Sequence, residues 1–179
     1  MIPLTAEERT VLVESLQGGG QALVEAVIDL TPAQWAFRPA AGSWTIGEVC
    51  EHLELTERMI LRRLDSAGAE GLAQAAGKDQ FVVKAVTSRR TKVPAPEAMV
   101  PQGAFASPDV FLAKFQATRN DALARAQDPL LDLRGICAFH FALKELDGYQ
   151  WLLMTASHTL RHLAQIREIR ADGAFPPDA

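Results

Sequence analysis

Two histidines, His158 and His162, stand four residues apart in HTLRHLAQIREIR, near the end of a 179-residue chain that has four histidines in all. In an α-helix this spacing separates two side chains by about 40° in angle and about 6 Å along the axis. Both imidazoles then leave one face of the helix and can share an ion, as the paired histidines of H-E-x-x-H helices do. On a helical wheel they flank the arc of Trp151, Leu152, Leu163, Ile166 and Ile169, which turns them inward or into a cleft. The pair alone is a weak signal, because a lone inward histidine is more often a hydrogen-bonded core residue than a ligand. A third candidate strengthens it. His52 lies in GEVCEHLEL beside Val49 and Leu53, and three imidazoles converge if the two helices pack together. Three neutral nitrogen ligands with an open fourth position are the arrangement of a catalytic zinc site rather than a closed structural one. Nickel suits imidazole as well as zinc does, so the type of ligand leaves the choice of divalent metal open. An ion held this way lowers the pKa of bound water toward neutrality, or holds a thiolate as a nucleophile.

Such side chains need rigid elements to carry them. Residues 43–64, SWTIGEVCEHLELTERMILRRL, read as a helix opened by a capping box, Thr45 with Glu48. Ile46, Val49, Leu53, Ile60, Leu61 and Leu64 form its apolar stripe. An earlier helix starts near Thr5, with Glu7 and Glu8 where the helix dipole favours negative charge. Gly18-Gly19-Gly20 interrupts it at about 1 kcal/mol per glycine relative to alanine, and a kink, a break and close packing all fit. Thr31-Pro32 begins a short turn or helix. Ser107-Pro108-Asp109 opens a third long helix with a serine cap, running to about Gln127 and burying Val110, Phe111, Phe115, Ala122 and Leu123. Asp147 caps the last helix, 148 to about 171, with Gly173 and Pro176-Pro177 beyond its end. Residues 66–106 are irregular, with a short helix favoured over a strand at 79–88. That connection is too long for a simple hairpin and suits a crossover between two helices running the same way. A second connection covers 129–146. Four long helices and no convincing strand ladder imply an all-α four-helix bundle, residues 1–179 forming one domain.

Charge and composition exclude several classes. A net charge of −4 and a pI near 5.6 leave no electrostatic footprint for nucleic acid. The basic stretches Arg62-Arg63 and Arg89-Arg90 with Lys92 read as solvated faces or element ends. No apolar run approaches the ~18–20 residues of a membrane span, and MIPLTAEERT lacks the basic and apolar regions of a secretion signal. The expected location is cytoplasmic. Cys50 and Cys137 are too few for a disulfide framework and read as reduced thiols. Cys50 is also about 200° around the helix from His52, which keeps it out of the same ligand set.

Trp44-Thr45-Ile46-Gly47-Glu48-Val49 with Glu51-His52-Leu53, and Trp151-Leu152-Leu153 with His158, Arg161-His162 and Gln165-Ile166, resemble two motifs of the DinB/YfiT-like superfamily of four-helix bundles. In that family W-[ST]-x-x-E-x-x-x-H-L opens the second helix and H-x-x-R-H-x-x-Q-I lies in the last. The resemblance covers nearly the whole chain. It implies metal ligands at His52, His158 and His162, an up-down-down-up topology with a long crossover between helices 2 and 3, and a homodimer acting on a small molecule. Relatives of this fold that use bacillithiol or mycothiol imply a transferase that joins a low-molecular-weight thiol to a small electrophile. Two alternatives stand beside it, a metal-dependent hydrolase of amides or esters and a non-catalytic dimeric bundle that binds a small molecule. The pattern also departs in one place. The branch with W-L-L commonly has histidine-proline and a glycine before the last helix, whereas here His140 precedes Phe141 and Lys144 stands in the place of the glycine.

Four further residues have two readings each. Glu48, one turn before His52, is a candidate base or an acceptor for a ligand, although its capping role accounts for it fully. Gln165, three residues after His162, can orient that ligand or a water. Arg161 can bind an anionic group of a substrate, or extend into solvent. His140 can line a pocket and assist the chemistry, or cap and pack its loop, which is the favoured reading.

Overall fold

The chain runs through α1 (Ala6–Val27), α2 (Pro32–Trp35), α3 (Ile46–Asp65), α4 (Leu72–Ala75), α5 (Asp79–Thr87), a 3-10 turn (Glu97–Met99), α6 (Pro108–Gln127), β1 (Cys137–His140), β2 (Lys144–Asp147) and α7 (Gly148–Arg170). The structure is a computed structural model that describes residues 3–90 and 93–178, so Lys92 lies outside the described residues. Three of the long helices begin on capping boxes: Thr5 with Glu8, Thr45 with Glu48, and Asp147 with Gln150. Each box satisfies backbone donors at both sides of the first turn. At α6 the expected serine cap is not formed. Ser107 occupies the cap position but accepts no hydrogen bond there, and the start rests on Pro108, whose ring presets a helical φ.

The long helices α1, α3, α6 and α7 form the bundle, with α1 and α3 each packed between α6 and α7. Contacts along the helices fix their directions. Gly19 meets Thr159, and Ala26 accepts a hydrogen bond from Arg170, so α1 and α7 run parallel. Glu57 pairs with Arg119 and Asp65 with Arg125, so α3 and α6 are parallel as well. Arg9 donates to Ala126 O while Leu16 O accepts from Arg119, which makes α1 antiparallel to α6. The order is therefore up-down-down-up, and the long connection from α3 to α6 is the crossover that two consecutive parallel helices require.

The glycine run lies within an unbroken α1, where Gly19 and Gly20 pack against neighbouring helices and a Cβ on Gly18 would meet nothing within 4 Å. A Cβ on Gly19 would sit 3.7 Å from Thr159, and one on Gly20 would sit 3.3 Å from the Arg119 guanidinium. Val110, expected in the core, is 49% exposed; Phe111, Leu112, Phe115, Ala122 and Ala126 carry the buried face of α6. The connection at 129–146 holds an antiparallel hairpin that the sequence reading missed, with Cys137 opposite Asp147 and His140 opposite Lys144. Arg134 pins this segment to the bundle through Glu8, Asp79 and Asp147, and its guanidinium lies 4.2 Å over the Tyr149 ring.

Two apolar clusters fill the bundle. One gathers Leu12, Leu16, Ile60, Leu64, Trp151 and Leu152; the other gathers Leu23, Ile46, Val49, Phe111, Phe115 and Ile166. Between them lies a polar layer. Arg119, 4% exposed, donates to both carboxylate oxygens of Glu57 at 2.8 Å, to Leu16 O at 2.6 Å and to the Thr159 hydroxyl at 2.9 Å. Such complete pairing is what makes a buried charge tolerable.

Candidate metal centre

α3 and α7 run side by side in opposite directions and bring His52 level with His158 and His162. The start of α3 is set by Thr45 and by Gly47, where a Cβ would lie 2.7 Å from the Trp35 indole nitrogen. Only glycine leaves room for that ring, whose N–H donates to Phe105 O at 3.0 Å. His52 and His162 are each 6% exposed, and His158 is half-buried.

The three rings aim their Nε2 atoms at one another. His158 Nε2 lies 3.0 Å from His162 Nε2 and 3.3 Å from His52 Nε2. The opposite nitrogens have partners that fix the tautomer. His52 Nδ1–H donates to the Met99 carbonyl at 2.8 Å, and His162 Nδ1–H donates to Gln165 Oε1 at 2.9 Å. A neutral imidazole carries one proton, so Nε2 of His52 and of His162 are bare lone pairs. A proton on His158 can point at one of them but not at both. Lone pairs this close repel unless a cation lies between them. With metal–nitrogen bonds of 2.0–2.1 Å, the edge of a tetrahedral site measures about 3.3 Å. The donor set and its spacing thus fit a divalent ion bound by three imidazoles. Among the described residues these are the three that gather in such a group.

Electrostatics keeps the histidines in their ligand form. Burial lowers the pKa of His52, against a smaller upward pull from its bond to Met99. His162 is pushed down to about 3 by burial and by His52, with Gln165 opposing. His158 falls well below its ordinary value, first through burial and then through His162 and His52. All three are therefore neutral near pH 7 and have no proton to release before binding an ion. Trp44 covers the cluster, its ring centroid 4.9 Å from that of His52 and 6.5 Å from that of His162.

The other candidates take different places. Glu48 turns away from the histidines: it accepts the Thr45 N–H at 2.8 Å and both Arg38 guanidinium nitrogens at 2.9 and 2.6 Å. Burial raises its pKa, but those bonds outweigh burial and hold it below the ordinary value, and its carboxylate serves as a cap and an ion-pair partner. His140 sits on the hairpin, where its Nδ1 accepts the N–H groups of Ala142 and Leu143 at 3.2 and 3.0 Å and its ring packs on Trp151. This is the loop-capping role. Arg161 lies near enough to His158 and His162 for its charge to depress both, and partial burial and Arg89 lower its own pKa. Gln165 places its Oε1 2.9 Å from His162 Nδ1. Cys50 is fully buried in the apolar cluster, where burial pushes its thiol pKa up, and both cysteines are free thiols.

Sequence reasoning missed Met99, Glu51 and Arg89 around the site, and gave Trp44 no role beyond its place in the family motif. Trp44 stood in the motif, immediately before the cap of the histidine-bearing helix, and that position was the available signal. Met99 acts through its carbonyl, which no residue type announces. Arg89, read as part of a solvated face or an element end, does lie just past the end of α5, and there it donates to Glu168 and to Gln165. A cleft of about 550 Å³ lined by Met59, Arg62, Arg63 and Cys137 opens toward the other end of α3, apart from the histidines.

Comparison with known proteins fits this geometry. The family model of the DinB superfamily matches residues 15–166. Among solved structures the chain is similar to YfiT from Bacillus subtilis, described as a probable metal-dependent hydrolase with an unusual four-helix bundle topology. The TM-score is 0.58 at 17% identity, over 95% of this chain and 90% of that one, a likeness of fold. No curated protein matches the sequence significantly. The matched span takes in α3, the crossover to α6 and the part of α7 that carries His158 and His162, and on that extent the chain belongs to the DinB superfamily.

Proposed function

We propose that the protein is a metal-dependent enzyme that joins a low-molecular-weight thiol to a small electrophile, with a divalent ion, zinc or nickel, held by His52, His158 and His162. The observation that carries this reading is the convergence of three Nε2 atoms, two of them bare because Met99 and Gln165 fix the opposite nitrogens. When bound, the ion supplies Lewis acidity and lowers the pKa of a thiol or water ligand. The chain's own residues do the rest. Met99 and Gln165 hold two imidazoles in ligand orientation, and Trp44 keeps water from one side of them while offering an apolar face to a substrate. Arg161 attracts an anionic group on the thiol or the electrophile.

Thiol transfer is favoured over hydrolysis by the state of the carboxylates. Hydrolysis calls for a group that moves protons to and from water and the leaving group. Glu48 is tied to Arg38 and Thr45, and Glu51 accepts three backbone N–H groups. Both carboxylates are already committed to fixed hydrogen-bond partners. Hydrolysis of an amide or ester is the second reading, supported by the likeness to YfiT. The discriminating experiment loads the protein with zinc or nickel and follows bacillithiol, mycothiol or glutathione with a chromogenic electrophile, and in parallel nitrophenyl esters and anilides without thiol. Metal-dependent thiol consumption, lost in His158→Ala, is the expected result. Hydrolysis without thiol selects the second reading, and no turnover in either assay leaves a small-molecule-binding bundle.

A further inference from the structure

We infer that the crossover between α3 and α6 forms the outer layer of the metal centre, with Glu51 and Arg89 as positioning residues for His52 and His162. The inference rests on the metal-binding reading above. On one side, the Met99 carbonyl that orients His52 ends a three-residue 3-10 turn in the irregular part of the crossover. Glu51, the residue before His52 and 3% exposed, supplies the anchor. Its carboxylate accepts the N–H groups of Gln102 at 2.9 Å, Gly103 at 2.8 Å and Ala104 at 2.9 Å. Gly103 adopts φ +81°, a left-handed conformation that lets consecutive amides turn toward one anion. The carboxylate needs those donors because it is buried. In return, the donors lock residues 99–104 against the turn that carries His52.

On the other side, Arg89 lies just past α5. It donates to both carboxylate oxygens of Glu168 at 2.9 and 2.5 Å and, more weakly, to Gln165 Oε1 at 3.4 Å. That same Oε1 accepts from His162 Nδ1. With the Gln165 amide flipped, its NH₂ would face two donors at once, so Arg89 sets the amide and the amide sets the imidazole. A chain Glu168–Arg89–Gln165–His162 therefore runs from the crossover to a ligand. Groups of this kind fix ligand orientation and basicity, and losing one lowers metal affinity about 10–100-fold. Glu168 is largely exposed, so its ion pair with Arg89 adds little to folding stability by itself. Effects on metal binding and on the fold are thus separable. Linkage adds that ion binding and crossover order reinforce each other.

Cobalt(II) alone is the probe, because its visible absorption reports ligand geometry. Wild type is titrated beside Arg89→Gln, Glu51→Gln and the remote control Arg125→Gln. Arg89→Gln and Glu51→Gln are expected to weaken cobalt binding at least about tenfold and to change the visible band, with the control unchanged. Glu51→Gln disturbs a buried site, so a second measurement uses wild type only. Hydrogen exchange in the peptide covering 97–104 is expected to slow several-fold on adding zinc. Cobalt binding and spectra equal to wild type in both variants, with no change in exchange, would overturn the proposal while leaving the metal centre intact. No cobalt binding by wild type would overturn both.

Discussion

His140 and the three clustered histidines are neutral in the fold for the same leading reason, burial, yet their nitrogens face opposite kinds of partner. His140 Nδ1 accepts from backbone N–H groups, whereas Nδ1 of His52 and of His162 donates. Its proton is therefore on Nε2, the tautomer opposite to that of His52 and His162. Burial and the Arg63 cation push the His140 pKa down to about 4 from an ordinary 6.5. An imidazole with a depressed folded pKa takes up its proton more readily when unfolded. Stability then falls as pH drops from about 6.5 to about 4, and is unaffected above that window. His140→Asn retains an acceptor for the turn but removes the titration. Urea unfolding at pH 7 and pH 5 should show a smaller loss in the variant than in wild type; equal losses would show that His140 is not a source of acid sensitivity. Lys144 adopts φ +65°, a conformation that glycine takes up without strain. The left-handed conformation costs a non-glycine residue about 1–2 kcal/mol, partly offset by the lower entropy of its unfolded chain. Lys144→Gly should raise stability by about 0.5 kcal/mol, read from the urea midpoint, despite losing the ammonium over Phe139.

At the scale of elements, the long helices were legible because caps and period agree over five or more turns. Thr45 with Glu48 and the stripe from Ile46 to Leu64 leave one reading of α3. The hairpin was not legible. Its strands have four residues each, and the Phe141-Ala142-Leu143 link carries none of the glycine or asparagine that marks a tight turn. The Gly18–Gly20 run allowed three readings because what decides among them, the approach of Thr159 and of Arg119, comes from distant sequence. Buried charge was hidden for a similar reason. Glu51, Glu57 and Arg119 are residue types that ordinarily face water, and only the packing of α3 against α6 and the crossover reveals their partners. The Arg119–Glu57 pair yields a prediction for the bundle. Removing one partner strands a buried charge, so Arg119→Met should lower the unfolding free energy by about 3–5 kcal/mol. Arg119→Met with Glu57→Leu should recover most of that loss. A single variant within about 1 kcal/mol of wild type would contradict the role assigned to the polar layer.

For the whole molecule, the topology explains why residues 106 positions apart meet. α3 and α7 are antiparallel neighbours because the crossover carries the chain from the end of α3 to the start of α6, parallel to it, and the hairpin segment then returns it for α7. Helical spacing made the His158–His162 pair legible, whereas the arrival of His52 depended on the packing of α3 against α7, which the family resemblance implied and the fold supplies. The layer around the three imidazoles was not legible, because it is built from a carbonyl, backbone amides and one arginine on irregular segments. Among the described residues no helix is long and apolar enough to cross a membrane. The central claim is that His52, His158 and His162 bind one ion together. Its most direct test is the metal content of tag-free protein, purified without added metal and again after exposure to zinc or nickel, beside His52→Ala and His158→Ala. The account predicts near one ion per chain in wild type and loss from both variants, with the helical circular dichroism preserved. No uptake by wild type, or equal uptake by both variants, would contradict it.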